Sequence, residues 1–478
     1  MTPPTMPRLA CAGCGTTVDA IGPAGPVWRC PRAGDGDIDH VLRPVDDDAA
    51  WPWDADTSST NPFVRYRTRL TAYRAARALG ISDAAFVALV ERLDAHVAEV
   101  DGAGFGVTAL RTESALAANA DLPCGHLLVK VESGHVSGSH KARHLMGIML
   151  MLEVWRETSA TAADDDLRLA IASCGNAALA AAVVARAAGY ALDVFVPTWA
   201  SESVVGRLLA LGATINACAR EAGAAGDPCY HGFKRAVADG ATPFCCQGPD
   251  NGLTIDGGET LAWEVLDALD GHPPDAVFVQ VGGGALASSL VRGFTGAHRA
   301  GRAARVPRLH AVQTRGCAPL VRAHDAVTLA ILGRLGVAAS TLSTLDHHAA
   351  RERVRRAALI ARDATSADID AALGHAATHR SAYMRPWDVE PVSLATGILD
   401  DETYDWLAIV AGMLRSGGYP VLADEDTLAR ANRVARDTTG IDVCMTGTSG
   451  LAGLMDAMPL APSLAGERLA VVFSGHRR

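Results

Sequence analysis

No uninterrupted apolar stretch in this 478-residue chain reaches the roughly 18 residues that a membrane-spanning helix requires, so no membrane partner is expected. The opening Met1-Thr2-Pro3-Pro4-Thr5-Met6-Pro7 has neither the charged segment nor the apolar core of a secretion signal, and a cytoplasmic protein is the natural expectation. Basic clusters are few and the formal charge is −10, which argues against a nucleic-acid partner. The one basic run, Arg351-Glu352-Arg353-Val354-Arg355-Arg356, reads as a solvated helix face. Internal repeats are absent. The 11 cysteines are scattered, with Cys245 and Cys246 adjacent, and they read as reduced residues rather than a disulfide framework.

What is present suits a soluble catalyst. With 49% hydrophobic and 20% charged residues the chain can bury a large core, and its length predicts more than one domain. Three segments share one pattern, a strand that turns through small polar or glycine residues into a helix. In the first, Leu127 to Glu132 alternates as a strand, Ser133 to Gly138 is turn chemistry, and a mostly apolar helical pattern starts at Lys141. In the second, Leu169-Ala170-Ile171-Ala172 leads through Ser173-Cys174-Gly175-Asn176 into an alanine-rich helix. Backbone N–H groups at that helix start, with the Ser173 and Asn176 side chains, suit a carboxylate. In the third, the strand Ala276 to Val281 opens through Gly282-Gly283-Gly284 into a helix. Successive N–H donors with no side chains in the way make a phosphate cradle. Taken alone, that glycine run could be only a tight strand-helix turn. It lacks full G-x-G-x-x-G spacing and an acidic ribose partner, so a dinucleotide fold is the lesser reading.

In their order and spacing these motifs resemble those of the tryptophan-synthase-β-like superfamily of pyridoxal-phosphate (PLP) enzymes, fold type II, and within it the threonine synthase and serine/threonine ammonia-lyase branch. Gly106-Val107-Thr108-Ala109-Leu110 is similar to the family's G-N-T-P-L entry, and Ser137-Gly138-Ser139-His140-Lys141 to its G-S-F-K cofactor-lysine motif. Ser173-Cys174-Gly175-Asn176 is similar to its S-x-G-N loop, Gly282-Gly283-Gly284 to its phosphate loop, and Val471-Val472-Phe473-Ser474-Gly475 to its closing strand. The resemblance implies an α/β fold of two lobes, with parallel-type sheets flanked by helices and PLP between the lobes. Lys141 would hold the cofactor and then act as base for the α-proton, and Asn176 would bond the ring hydroxyl. Ser173, Cys174 and Gly175 would line the substrate-carboxylate pocket, Gly282, Gly283 and Gly284 would bind the phosphate, and Ser474 would meet the pyridine nitrogen with a neutral hydroxyl. That hydroxyl favours elimination and replacement chemistry.

The resemblance further implies a small amino-acid substrate and a homodimer. The leading expectation is a lyase or synthase that removes the α-proton and β-substituent of a small hydroxy- or O-activated amino acid. One alternative is γ-elimination and hydration of O-phosphohomoserine, as in threonine synthase. Another is a non-catalytic amino-acid-binding protein on the same fold. The sequence departs from the pattern at His140, where an aromatic residue is usual, and at Ala142 and Ala109. His140 is expected to be buried and satisfied against the cofactor. Glu259, in Gly257-Gly258-Glu259-Thr260-Leu261, is placed near the site.

The organisation expected is a cysteine-containing ribbon-like segment over residues 1–58, a helical region over 59–105, and a catalytic region over 106–478 in which about 141–239 forms one lobe. The ribbon holds Cys11-Ala12-Gly13-Cys14 and Cys30, the start of a zinc site whose second knuckle lacks its last cysteine, Ala33 standing there. His40 or one of Asp35, Asp37 and Asp39 could complete it. Without a clear fourth ligand, a metal-free remnant is the stronger expectation. Residues 340–390 read as a helical cap, with His347 and His348 exposed.

Overall fold

A computed structural model describes residues 5–46, 53, 55–159, 167–220, 227–342 and 345–477. Two sheets organise the chain. The larger has six strands in the order Val421–Ala423, Arg308–Thr314, Ala276–Gln280, Arg468–Phe473, His126–Val131, Leu110–Thr112. All neighbours are parallel except the edge pair, where Leu110–Thr112 runs antiparallel to His126–Val131. The smaller has four strands in the order Thr214–Cys218, Ala191–Pro197, Arg168–Ala172, Thr242–Pro243, all parallel. Strands buried on both faces lose the alternation of a one-sided sheet, and every residue of Ala276–Gln280 is buried.

The helix Lys141–Thr158 is buried on all sides from Ala142 to Leu152. A helix without a polar face belongs inside a protein, which explains its weak amphipathicity. It crosses the short helix Thr254–Gly258 in backbone contact. A Cβ on Gly147 would stand 2.8 Å from the Gly257 nitrogen, and one on Gly257 would stand 2.0 Å from the Arg143 carbonyl oxygen. The crossing therefore requires both glycines.

The N-terminal ribbon is a three-stranded antiparallel sheet of Thr17–Asp19, Arg8–Cys11 and Leu42–Pro44. Residues 47–52 and 54, which precede the expected break near 58, lie outside the described residues. The helices Thr71–Ala78 and Asp83–Asp101 follow, and Arg65 and Tyr66 fasten this region to the body through Asp267. None of the 11 cysteines is in a disulfide.

One surface expectation fails in part. In the helix His347–Asp363 the basic run is a solvated face only in part: Arg351 and Arg355 are exposed, but Arg353 and Arg356 are buried. Arg353 makes a two-pronged bond to Asp325 on the neighbouring helix, and Arg356 reaches Glu352 and the Ser340 carbonyl. Charge count alone does not reveal burial when each arginine finds its acceptor. His347 and His348 are exposed, as expected.

Candidate active site

Lys141 is the first residue of its helix, and the preceding turn puts it there. Ser137 (φ 56°) and Gly138 (φ 75°) are consecutive left-handed residues that reverse the chain after strand His126–Val131. The Ser137 amide donates to Asp101 Oδ2 at 2.6 Å, and the Gly138 carbonyl accepts from the His476 amide at 2.9 Å, tying the turn to two other parts of the chain. Among the described residues the Lys141 amine has no hydrogen-bond partner, although Asp400 and Asp405 act on it electrostatically.

Beneath the lysine sits a buried ion network. Arg143, wholly shielded from solvent, donates to Glu132 (2.8 and 3.0 Å) and Glu264 (2.6 and 3.1 Å), while buried Lys130 also donates to Glu264 at 2.5 Å. Two cations meet two carboxylates, so the set closes without net charge. Thr108, in the Gly106–Leu110 motif, joins through its hydroxyl and its carbonyl. The motif thus serves to brace the start of the lysine helix.

The other expected residues converge from several elements. Ser474 follows the strand Arg468–Phe473, which pairs with His126–Val131. Its hydroxyl oxygen accepts the His140 amide at 3.1 Å and lies 2.5 Å from His140 Nδ1. Burial, with Lys141 nearby, holds the His140 imidazole well below its ordinary pKa and therefore neutral, and its Nε2 is buried without a partner. Neighbouring His144 is likewise neutral, lowered to about 3 by burial and by Lys141, and its Nδ1 donates to the Thr254 carbonyl. Ser173, Cys174, Gly175 and Asn176 form a half-buried rim, and the Asn176 amide lies against Gly475. Burial, then the charge of Asp400, raises the Cys174 thiol, which is consequently no thiolate.

The glycine loop contributes a feature the sequence did not suggest. Residues 398–405 pack directly on it: a Cβ on Gly282 would meet Asp400 Oδ2 and the Ile398 Cα, one on Gly283 would meet Tyr404, and one on Gly284 (φ 104°) would meet Ile409 and Asp405. Asp400 accepts the Gly283 N–H. Burial raises its carboxyl to about 6, against the lowering effects of Lys141 and that N–H. Asp405 lies against Gly284, its amide donating to the Gly283 carbonyl at 3.1 Å. The acid-rich run Asp400-Asp401-Glu402 belongs to no motif that would mark it in the sequence. Glu259, expected near the site, is engaged by Arg292 at 2.7 Å.

These residues fit PLP. The cradle already holds an anionic oxygen, that of Asp400, on a glycine N–H; an unbonded lysine amine stands nearby; and a neutral hydroxyl backed by a neutral imidazole waits at the end of the closing strand.

In the ribbon, Cys11, Cys14, Cys30 and His40 bring one donor atom each to within 4.8 Å of one another. The fourth position, which the cysteine spacing left open, is filled by His40. Asp35, Asp37 and Asp39 turn instead to Arg32, Ser381 and Arg380.

Fold and site together define a two-lobed α/β protein in which an unbonded lysine amine stands near a strand-to-helix glycine loop. The chain belongs to the pyridoxal-phosphate dependent enzyme family, whose profile matches residues 103–386. It is similar to the threonine synthases of Mycobacterium bovis and Mycobacterium tuberculosis, 27% identical over 272 residues, a match covering 56% of this chain and 66% of theirs. Among solved structures it is similar to threonine deaminase isoform 2 from Solanum lycopersicum (TM-score 0.54, 17% identity, 84% of this chain and 91% of that one). It is also similar to diaminopropionate ammonia lyase from Escherichia coli (TM-score 0.54, 16% identity, 82% and 88%). At these identities the structural likeness establishes the shared fold.

Proposed function

We propose that this chain is a PLP-dependent lyase that removes the α-proton and the β-substituent from a small amino acid with an uncharged or cationic side chain. The observation that carries the reading is the unbonded Lys141 amine set between the glycine cradle and the neutral Ser474–His140 pair. When bound, the cofactor supplies an electron sink that makes the substrate's α-proton removable. The chain's own residues do the rest. Gly282, Gly283 and Gly284 would hold the phosphate through their N–H groups, Asn176 would hold the ring oxygen, and Ser173 to Gly175 would receive the substrate carboxylate. Lys141 Nζ takes the α-proton. For a β-hydroxy substrate one water is lost and one is consumed, leaving a keto acid and ammonia.

The alternative, hydration chemistry on O-phosphohomoserine, draws support from the threonine synthase relatives. Electrostatics weigh against it. Asp400, which packs on the glycine loop, is acted on by Asp401 and Asp227, and Asp227 and Glu402 act on Asp401 against the opposing charge of Arg220, so the rim of the loop is acidic. Such a rim repels a second phosphate dianion and accepts a hydroxyl or an ammonium group. A non-catalytic binder would have no use for the lysine.

The decisive experiment is an absorbance spectrum of the purified protein with and without borohydride, repeated on Lys141→Ala, followed by a keto-acid assay across a panel of amino acids. The reading expects a visible band that is lost in the variant and a keto acid from a hydroxy- or diamino acid. No band after added PLP would overturn the enzyme reading, and turnover confined to O-phosphohomoserine would replace it with the threonine-synthase one.

A further inference from the structure

We propose that Cys11, Cys14, Cys30 and His40 form a tetrahedral site for zinc, and that this metal holds the strand carrying Arg43 against the back of the glycine cradle. The donor geometry carries the first part. With Zn–S near 2.3 Å and Zn–N near 2.0–2.1 Å, a tetrahedron has edges of about 3.8 Å between sulfurs and about 3.5 Å between sulfur and nitrogen. Cys14 and Cys30 sulfurs are 3.7 Å apart, and Cys11 Sγ lies 3.6 Å from His40 Nδ1. These are metal-edge separations and are far longer than a disulfide bond. The imidazole is already set for ligation. His40 Nε2 lies 3.1 Å from the Asp35 carbonyl, which can only accept, so the proton sits on Nε2 and Nδ1 presents its lone pair to the thiols. Three of the four donors are buried.

The local chain is built for this. The Cys11 amide donates to the Thr16 carbonyl and the Gly15 amide to the Cys11 carbonyl, closing a knuckle at Gly15 (φ 70°). A Cβ on Gly13 would stand 2.5 Å from the Asp39 carbonyl oxygen, so glycine is what lets the 38–40 segment close on the knuckle and deliver His40.

The second part follows from what flanks His40. On the same stretch Asp37 accepts from Ser381, Asp39 accepts from Arg380 and from Trp406 Nε1 (3.0 Å), and Arg43 donates to Asp405. Asp405 is the residue whose amide bonds the Gly283 carbonyl, and its other carboxylate oxygen is buried without a partner. Arg43 thus neutralises a buried carboxylate directly behind the loop that receives the phosphate. His40 ties this clamp to the two knuckle cysteines and Cys30.

The test begins with metal content and does not depend on the cofactor. The full-length protein is expected to hold about one zinc per chain, and protein produced with cobalt is expected to show thiolate-to-cobalt and tetrahedral visible bands. Both are lost in the double variant Cys11→Ser, Cys14→Ser, and both persist in His40→Cys, where the new thiolate shifts the bands. Protein without stoichiometric metal and without cobalt bands, or a double variant that keeps them, would overturn the metal site. The coupling is read by hydrogen exchange at the Asp405 amide, expected to speed in metal-stripped protein and in metal-replete Arg43→Met; unchanged exchange in both overturns it. The last measurement rests on the proposed function: Arg43→Met should weaken PLP binding about tenfold, as loss of an outer-shell partner does elsewhere. Failure of the wild-type protein to bind PLP would defeat that function while leaving the zinc and exchange results to judge this proposal.

Discussion

Replacing Arg143 by methionine keeps most of the side-chain length and removes the charge that closes the network under Lys141. Two carboxylates, Glu132 and Glu264, would then face a single cation, Lys130, which donates to Glu264 and not to Glu132. One buried carboxylate is left uncompensated, and breaking a buried pair in this way costs about 3–5 kcal/mol. Urea unfolding followed by tryptophan fluorescence would measure it. The pH dependence supplies the sharper test. Burial raises Glu132, but Arg143, with help from His135 and Lys130, overcomes this and holds it at about 2, below the roughly 4.3 of an unfolded glutamate. In the wild type its contribution is therefore full above about 4.3 and is lost as pH falls toward 2. In Arg143→Met burial dominates, the folded value moves above the unfolded one, and the sign reverses: the variant gains stability as pH falls from 8 to 5. The deficit should narrow with acid. A deficit below about 1 kcal/mol, or one constant across that range, would refute the argument that Arg143 is there to hold two carboxylates.

Other consequences are as direct. Gly257→Ala should lower stability by about 3 kcal/mol or more, because its methyl would lie 2.0 Å from the Arg143 carbonyl oxygen and both helices must separate; a thermal melt like that of wild type would contradict the backbone crossing. Asp400→Asn should tighten PLP binding about tenfold at pH 8 and flatten its dependence around pH 6, since ionised Asp400 competes with the phosphate for the Gly283 N–H. Equal or weaker binding by titration of the cofactor-free protein would place Asp400 elsewhere in the chemistry. Asp325→Ala should cost about 3–5 kcal/mol by removing the carboxylate that buried Arg353 grips with two nitrogens, and Asp325→Ala with Arg353→Met should recover much of it; an unrecovered double variant in the same denaturation assay would show that the pair is not the unit.

The strand-turn-helix units at 126–141, 168–188 and 276–299 were legible because parallel strands and their helices carry the apolar pattern locally, and the small residues at each turn mark where strand passes into helix. What escaped was long-range. Asp400 and Asp405 reach the glycine loop from more than a hundred residues away and carry no motif. The buried arginines at 353 and 356 looked exposed because their partners, Asp325 and the Ser340 carbonyl, lie in other elements. His40 could be named as one of several ligands from spacing alone, but only the fold sends Asp37 and Asp39 away to Ser381 and Arg380 and leaves the imidazole to face the thiols.

The proposed chemistry also accounts for the departure at His140. The Ser474 oxygen already accepts the His140 amide, so its remaining partners are His140 Nδ1 on one side and the site on the other. With the imidazole neutral, Nδ1 can donate to Ser474, which frees the hydroxyl hydrogen to point into the site, or it can accept that hydrogen. In either arrangement the closing strand presents a group without charge. An acid in its place would favour a protonated ring nitrogen and a longer-lived carbanion, whereas a neutral donor suits prompt loss of a β-substituent. His140→Phe should therefore leave elimination in place. If it instead abolished turnover while the PLP absorbance and its pH titration stayed as in wild type, His140 would be moving a proton itself and the neutral-pair argument would fall.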